Sequence, residues 1–335
     1  MHTLVIGGTR NLGPPLVRAL LARGDIVTIL HRGRTQFMFE SHVERLHADR
    51  SDAAQLALVL AGRSFDLVVD TTLYTGRDAE VIAQLFAGRT ERYIMISTGQ
   101  VYLVRPGLKR PFREQDYDGP TMPPPHAEHS LDHENWLYGI EKRKAEDSLL
   151  AAHREHGFPV TTLRLPMVNS ERDHFDRILG YLARLWDGGP ILVPEGAHLA
   201  LRHVYGEDVI GAIIQLSESH RTVGRAYNIS QDETVELEAF LRLMAEFAGA
   251  TLRVIPVPRA TLDAQGLLPS CSPFSGLWMS ELDNQLSKSE VGIPYTPLRT
   301  YLEKLVAHFR LAPRRTPLGY DRRIAEIRLA RTIRS

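Results

Sequence analysis

Short apolar runs alternate with helical stretches over the first 165 residues of the chain. The runs are continuous and rich in β-branched residues, which is the pattern of strands buried on both faces of a sheet. They occupy residues 4–6, 25–30, 65–70, 93–97 and 160–165. Strands that alternate with helices pair in parallel, and right-handed crossovers then place ligands at the carboxyl ends of the strands. The sequence therefore predicts an α/β fold with a doubly wound parallel sheet.

Beyond residue 165 the alternation is looser. The pattern predicts a helix within residues 204–216 that starts near Asp208, a strand at 226–229, an amphipathic helix at 236–249 and a strand at 252–257. Prolines and serines between Pro256 and Pro273 predict a loop. From residue 313 onward arginines dominate, which predicts a basic C-terminal tail (313–335) that is solvated or packed against a partner.

Composition excludes several classes of protein. The 335 residues carry 40 Lys and Arg against 40 Asp and Glu, so the neutral chain offers no overall attraction to nucleic acid or to an anionic membrane. No apolar stretch approaches the roughly 18–20 residues of a membrane span, and no signal peptide is expected. Cys271 is the single cysteine, which excludes an internal disulfide and a multi-cysteine metal site. We expect a cytoplasmic protein.

A glycine-rich turn lies between the first strand and the first helix. Its glycines permit a tight turn and close packing of helix on sheet, so that free N–H groups at the helix start face a pyrophosphate. The sequence there reads Gly7-Gly8-Thr9-Arg10-Asn11-Leu12-Gly13. In a parallel-sheet context this turn predicts a dinucleotide site that involves Gly7, Thr9, Arg10, Asn11, Leu12 and Gly13.

The end of the second strand indicates which dinucleotide binds. An NAD site usually has an acidic residue there for the ribose 2′-hydroxyl, and this chain has Arg32 and Arg34 instead. Arginines suit a 2′-phosphate, which favours NADP(H), with NAD(H) as the alternative if they are merely solvated. Asp49 follows the third strand, where it can accept from an adenine amino group. Arg50 and Thr71 complete the expected contacts.

Tyr138 and Lys142 have the spacing of a catalytic pair. Positions i and i+4 share a face of a helix, and a lysine ammonium beside a phenol lowers the pKa of the phenol. Such a tyrosine can exchange a proton with an oxygen whose carbon exchanges hydride. We therefore predict an acid–base role for Tyr138, with Lys142 lowering its pKa.

Together these motifs resemble the short-chain dehydrogenase/reductase superfamily, in its extended or atypical branch, the NAD-dependent epimerase/dehydratase group. The matching motifs are the glycine turn, Asp49, Ile96 to Tyr102, Tyr138-x-x-x-Lys142, Leu163-Arg164-Leu165-Pro166 and His203 to Val209. The resemblance covers roughly residues 1–310. It implies a Rossmann sheet, with Thr98 bound to the substrate oxygen, Tyr138 as acid–base, Lys142 on the nicotinamide ribose and Pro166 beside the nicotinamide.

The same resemblance suggests the domain organisation. Residues 1–165 would form the dinucleotide-binding Rossmann domain, to which residues 203–230 return. Residues 166–202 and 231–312 would form a smaller C-terminal substrate lobe. Helices near residues 74–87 and 138–153 are those that pair in family dimers, so a homodimer is expected.

Three departures from the family pattern matter. Arg10 replaces the middle glycine of the turn, which resembles an atypical sub-branch that includes reductases and proteins reported to bind RNA. Gly99 and Gln100 stand where the dehydratases carry an Asp-Glu pair, so elimination chemistry is disfavoured. Thr98 and Tyr138 are 40 positions apart, because of an insert over 119–136.

The insert contains His126, His129 and His133. Three histidines could bind zinc, but no metal-binding helix motif accompanies them and the prolines predict a loop. We favour a polar lid over the substrate and expect no metal. His133 and Trp136 are candidate substrate contacts because they lie just before Tyr138.

The leading hypothesis is a reductase or dehydrogenase that moves hydride between NADP(H) and a small-molecule carbonyl or hydroxyl. The first alternative is a sugar-nucleotide epimerase that acts through a transient ketone, with Asn169, Arg172 and Arg202 as candidates for holding a diphosphate. The second is a dinucleotide-sensing or RNA-associated binding protein, although nucleic acid is not the expected partner. The predicted substrate residues are Tyr74, Gln100, His133, Trp136, Asn169 and Arg202.

Overall fold

A computed structural model describes residues 1–35, 37–125, 130–312 and 315–334. Its strands are β1 (His2–Ile6), β2 (Ile26–His31), β3 (Glu44–His47), β4 (Phe65–Asp70), β5 (Thr90–Thr98), β6 (Val160–Leu165), β7 (Val168–Asn169), β8 (Ile191–Pro194), β9 (Val204–Tyr205), β10 (Arg225–Asn228) and β11 (Val254–Val257). Seven of these strands form one parallel sheet in the order β10-β6-β5-β4-β1-β2-β3. The predicted parallel sheet is confirmed.

Helices cover both faces of this sheet. They are α1 (Gly13–Arg23), α2 (Ala53–Val59), α3 (Gly76–Leu85), α4 (Gln100–Leu103), α5 (Leu131–His156), α6 (Arg177–Trp186), α7 (Gly206–Glu218), α8 (Leu237–Ala248), α9 (Arg259–Ala264), α10 (Gln285–Val291), α11 (Leu298–Leu311) and α12 (Arg323–Arg334). Apolar residues of α1 and α7 pack on one face of the sheet, and those of α2, α3 and α5 on the other. The sheet is therefore doubly wound. None of the helices in the described ranges could cross a membrane.

A second core lies outside the sheet. The apolar faces of α6, α8 and α11 pack together there, and the short parallel pair of β8 and β11 borders them. A further two-stranded pair, β7 with β9, leads the chain back toward the sheet, where α7 and β10 follow. The second lobe is thus assembled from two separated stretches of sequence.

Two sequence-based expectations about secondary structure were wrong. The helix with Tyr138 begins at Leu131, because Ser130 caps it by accepting from the His133 amide. His133 and Trp136 therefore lie on α5 and not on a loop lid. The loop predicted for 256–273 is interrupted by α9. The helix predicted within residues 204–216, with its start near Asp208, is confirmed as α7 from Gly206, and strand β9 precedes it.

The basic tail packs against this chain's own second lobe. Arg184 of α6 and Glu326 of α12 form a fully buried ion pair, with Nη2 2.5 Å from Oε1. Arg323 binds both Glu326 and Asp187, and the apolar face of α12 covers Leu192. The tail was predicted to be solvated or bound to a partner, and the structure shows instead that it completes the lobe.

Candidate functional site

The glycine turn leads from β1 into α1 at the carboxyl edge of the sheet. Gly7 and Gly8 have φ of 108° and 84°, which side chains rarely allow. A Cβ on Gly13 would lie 2.5 Å from the carbonyl carbon of Gly8, so the turn can close only around a glycine. The Gly13 N–H donates to the Arg10 carbonyl at 2.8 Å, and Pro14 and Pro15 have no N–H, so the first turn of α1 does not supply the free donors that we expected. The backbone N–H groups that can face the phosphates of a dinucleotide are those of the glycine turn before the helix.

Polar residues of the turn are tied to neighbouring segments. Asn11 accepts a hydrogen bond from Ser170 of the second lobe at 2.9 Å, and Arg10 donates to Thr35 at 2.9 Å. Thr9 is half-buried, whereas the Leu12 side chain belongs to the core, which leaves its backbone as the group that could touch a cofactor.

The predicted 2′-phosphate arginines are exposed at the end of β2. Hydrogen bonds from Ser51 hold the pKa of Asp49 below its usual range, and the charges of Arg32 and Arg34 lower it further. Arg32, Arg34 and Asp49 follow the paired strands β2 and β3 at the same edge of the sheet. The exposed Arg10 side chain on the glycine turn adds a third positive charge to this edge of the sheet.

Arg50 turns inward rather than toward solvent. It forms an ion pair with the buried Asp70, which also accepts from the Tyr93 hydroxyl at 2.6 Å. Arg50 Nε and Nη1 are buried and have no hydrogen-bond partner among the described residues. Thr71, next to Asp70, donates to the Ile6 carbonyl at 2.9 Å. Arg50 thus braces the end of β4 beside the glycine turn and retains two free donors.

Thr98, Tyr138 and Lys142 come together at the carboxyl end of β5. The Thr98 hydroxyl lies beside the Tyr138 phenol and favours its ionised form, and Tyr138 is 37% exposed. Lys142 is 2% exposed and donates to the carbonyls of Leu73 and Ile96, each at 2.7 Å. The two hydroxyls and the ammonium group are therefore neighbours at this end of the strand.

The electrostatics differ from our expectation for the catalytic pair. Burial of the phenol, followed by the neighbouring Tyr74 phenol, raises the pKa of Tyr138 to about 12, although the Thr98 hydrogen bond opposes this. Burial lowers the pKa of Lys142 to about 8. The prediction that Lys142 lowers the pKa of Tyr138 was wrong, because backbone carbonyls bind the ammonium and burial favours the neutral form of both groups.

Two further predicted residues lie at the same place. The Tyr74 ring is half-exposed, with its centroid 6.4 Å from that of Tyr138 and 5.7 Å from Lys142 Nζ. Pro166 is buried directly after β6, which pairs with β5 as far as Thr98. Both residues therefore belong to the carboxyl edge that carries Thr98.

The residues of the 119–136 insert are only partly described. Trp136 donates to the Met122 carbonyl at 3.1 Å and contacts the ring of His133, whose Nδ1 is buried with no hydrogen-bond partner among the described residues. His126 and His129 lie outside the described residues. Among the residues that the structure does describe, no group of three or more His, Cys, Asp or Glu side chains could hold a metal ion.

Asn169 is buried among hydrogen-bond partners, and Arg202 is partly engaged within the protein. Asn169 is 1% exposed, and its amide group lies 3.1 Å from His203 Nδ1 and donates to Tyr301 at 3.2 Å. Arg202 donates to the Gln231 carbonyl and to Asn284, both at 3.1 Å. We withdraw Asn169 as a substrate contact because burial and internal hydrogen bonds occupy it.

Sequence reasoning missed residues that surround the catalytic pair. Asn135 contacts Gln100 and lies three positions before Tyr138, so a helix start at Leu131 would have identified it. Glu146 lies one turn after Lys142 and forms a buried ion pair with Arg164, which lies within the Leu163–Pro166 motif. No pattern in the sequence indicated that Ser280 of the second lobe packs against Gly99.

Comparison with known proteins found a matching family model and relatives in sequence. The family model described as "NAD dependent epimerase/dehydratase family" matches residues 3–230. The chain is 23% identical over 262 residues to 2'-dehydrokanamycin reductase of Streptomyces kanamyceticus, which covers 77% of this chain and 70% of that protein. It is 25% identical over 262 residues to the chloroplast stem-loop binding protein of 41 kDa b of Arabidopsis thaliana, covering 73% and 63%.

Solved structures show the same fold. UDP-glucose 4-epimerase from Thermotoga maritima, crystallised with UDP-glucose, superposes with a TM-score of 0.72. The match covers 92% of this chain and 99% of that one at 19% identity. At this identity the likeness concerns the architecture and not the substrate.

Proposed function

Because the chain belongs to the NAD dependent epimerase/dehydratase family of enzymes, we propose that it is a reductase or dehydrogenase that uses NADP(H) and a small-molecule carbonyl or alcohol. The observation that carries this proposal is that Thr98, Tyr138 and the buried Lys142 lie together at the sheet edge that also carries the glycine turn, with Lys142 bound to the Ile96 carbonyl of β5 and the Tyr74 ring beside both Tyr138 and Lys142. Gln100 stands beside these residues, and its neutral amide cannot act as the acid or base of a dehydration.

The three side chains have distinct roles in carbonyl reduction. A bound reduced dinucleotide supplies the hydride that the carbonyl carbon accepts. The Thr98 hydroxyl and the Tyr138 hydroxyl both donate to the carbonyl oxygen, and Tyr138 transfers its proton to that oxygen as the carbon is reduced. A pKa of about 12 keeps Tyr138 protonated before this transfer, and solvent returns a proton to the phenolate afterwards. Lys142 would bind the nicotinamide ribose, as the family resemblance implies.

The preference for NADP(H) is supported by the positive charges of Arg10, Arg32 and Arg34. The test is a titration of the purified protein with NADPH and NADH separately, followed by the fluorescence of the reduced nicotinamide, and repeated with Arg32→Ala. Arg89→Ala is the matched control, because Arg89 is equally exposed but precedes β5 at the opposite end of the strands. We expect Arg32→Ala to weaken NADPH binding about 5- to 150-fold, the loss of one charged hydrogen bond or ion pair of about 1–3 kcal/mol, and to leave NADH binding unchanged.

Three outcomes separate the possibilities. Tight NADPH binding that only Arg32→Ala weakens supports the arginine assignment and justifies a screen of ketones for NADPH oxidation. Equal binding of NADH with no effect of Arg32→Ala overturns the cofactor preference. Binding of neither nucleotide overturns the enzymatic proposal.

The epimerase alternative is weakened by the second lobe. A diphosphate-bound sugar needs free donors there, whereas Asn169 is buried and Arg202 donates to Gln231 and Asn284. Of the three candidates this leaves Arg172, which is exposed and lies over the Phe37 ring. The epimerase alternative is tested by an assay for the interconversion of UDP-glucose and UDP-galactose without added NAD(H) or NADP(H). We expect no conversion.

An RNA-associated role is the second candidate, because one relative is a stem-loop binding protein. Several tail arginines that suggested it are engaged internally, Arg315 with Asp176 and Arg323 with Asp187 and Glu326. We therefore expect no binding of a stem-loop RNA at 200 mM salt in fluorescence anisotropy. Tight binding that weakens steeply between 50 and 200 mM salt would favour the RNA role instead.

We also propose a homodimer through the outer faces of α3 and α5, and a cytoplasmic location. A shallow groove between the two helices is lined by charged residues of both signs, including Arg77, Glu80, Glu141 and Lys144. Sedimentation equilibrium tests the dimer, and a monomer at micromolar concentration would overturn it.

A further inference from the structure

Gln100 occupies a special position beside the catalytic hydroxyls. It is the first residue of α4, and its backbone N–H donates to Thr98 Oγ1 at 3.2 Å. Its side-chain Nε2 donates to Asn135 Oδ1 at 2.9 Å. Asn135 precedes Tyr138 by three positions and so shares a face of α5 with it. The Gln100 amide therefore lies next to the groups that bind the reacting oxygen.

A chain of hydrogen bonds fixes the orientation of this amide. Asn135 Nδ2 donates to the carbonyl of Leu131 at 2.7 Å, one turn earlier in α5. Since a carbonyl only accepts, Asn135 must turn its NH₂ toward Leu131 and its Oδ1 toward Gln100. Gln100 must then present its own NH₂ to Asn135. The Gln100 oxygen, Oε1, is left on the other side.

Gln100 Oε1 is buried and has no hydrogen-bond partner among the described residues. A buried acceptor without a donor is destabilising by about 1–3 kcal/mol, so such atoms are rare unless a ligand or a water completes them. Thr98 and Tyr138 can bind the substrate carbonyl oxygen, whereas Gln100 Oε1 can only accept. The site therefore lacks one donor, which a substrate can supply.

We propose that Gln100 Oε1 accepts a hydrogen bond from an O–H or N–H group on the substrate carbon next to the reacting carbonyl. The substrate class is then α-hydroxy and α-amino ketones, with the corresponding vicinal diols and amino alcohols in the reverse direction. The inference rests on the proposed reductase function. Because the amide is neutral at every pH, it selects substrates by hydrogen bonding and not by charge.

The test compares matched cyclic ketones, led by 2-hydroxycyclohexanone and cyclohexanone, in the wild-type protein and in Gln100→Met. NADPH oxidation gives kcat/KM for each ketone, and the preference of a protein is its kcat/KM for the hydroxyketone divided by that for the plain ketone. Comparing this preference between the two proteins cancels the intrinsic difference in reactivity of the ketones. We expect the preference for the hydroxyketone to fall about 10- to 100-fold in Gln100→Met, the size expected for one lost hydrogen bond to a substrate hydroxyl. Asn135→Leu should reduce the preference less than Gln100→Met does. It removes the hydrogen bond that orients the Gln100 amide, so this amide can rotate, but the amide itself is retained.

Each outcome has a distinct meaning. The same preference in wild type and Gln100→Met overturns the role of Gln100 and leaves the reductase proposal standing. Reduction of no ketone by protein that binds NADPH overturns the proposed function and this inference with it. Thermal unfolding and NADPH titration of both variants exclude misfolding as the cause of a change.

Discussion

Replacing Glu146 by Ala should destabilise the protein strongly. Glu146 and Arg164 are each 5% exposed on their side chains, with Arg164 Nη2 2.6 Å and Nε 3.0 Å from Glu146 Oε2. The guanidinium carbon also lies 4.1 Å from the centroid of the Tyr117 ring. Truncating one partner leaves the other charge buried and unpaired, which costs about 3–5 kcal/mol. Glu146→Ala should lose this much free energy of unfolding.

The expected change is large enough for ordinary unfolding experiments. An unfolding entropy of about 2.1 cal/mol/K per residue gives roughly 0.7 kcal/mol/K for 335 residues. A loss of about 3–5 kcal/mol therefore lowers Tm by about 4–7 °C. Thermal melts and urea titrations, followed by circular dichroism and by tryptophan fluorescence, measure it, and agreement of the two probes tests the two-state assumption.

A double variant separates the charge from the packing. Glu146→Leu combined with Arg164→Met removes both charges and keeps apolar volume, so most of the lost stability should return. If the double variant is as unstable as Glu146→Ala, the unpaired charge is not the cause. A loss below about 1 kcal/mol in Glu146→Ala alone would refute the reasoning altogether.

Three other outcomes follow from the site. Tyr138→Phe should lower kcat for ketone reduction about 10²- to 10⁴-fold with an unchanged NADPH Kd, and an active variant would remove Tyr138 as the acid. Between pH 8 and 10.5 Lys142 binds more protons in the unfolded chain than in the folded one. The free energy of unfolding of the wild type should therefore rise with pH relative to that of Lys142→Met. If the difference between the two proteins does not change with pH, the lowered pKa of Lys142 is contradicted. Gly13→Val should abolish NADPH binding, because its Cβ would meet the Gly8 carbonyl carbon at 2.5 Å, and retained binding would mean that the turn can open.

Local sequence patterns were sufficient for the sheet and for the family. The apolar runs at residues 65–70 and 160–165 coincide with β4 and β6, and the glycine turn lies where it was expected, between β1 and α1. The predicted family resemblance is confirmed by the match over residues 3–230. These features depend on neighbours in sequence, through strand periodicity and turn chemistry.

The failures share a different physical origin. The start of α5 was placed too late because prolines at 123–125 suggested a loop, although Ser130 supplies a helix cap after them. Asn169 was assigned to the substrate from its place after a motif, but its burial by His203 and Tyr301 depends on residues far away in sequence. Burial likewise sets the pKa of Lys142, and spacing along a helix carries no information about it.

The buried pair of Arg184 and Glu326 links positions 142 apart in sequence. Loss of Glu326 would leave Arg184 unpaired in an apolar setting, whereas loss of Arg184 would leave Glu326 with Arg323 alone, so the two positions should vary together among homologues. A homologue whose chain lacks a counterpart of α12 should carry an uncharged residue in place of Arg184. We therefore expect α6 and α12 to be gained or lost together in evolution, although they lie far apart in sequence.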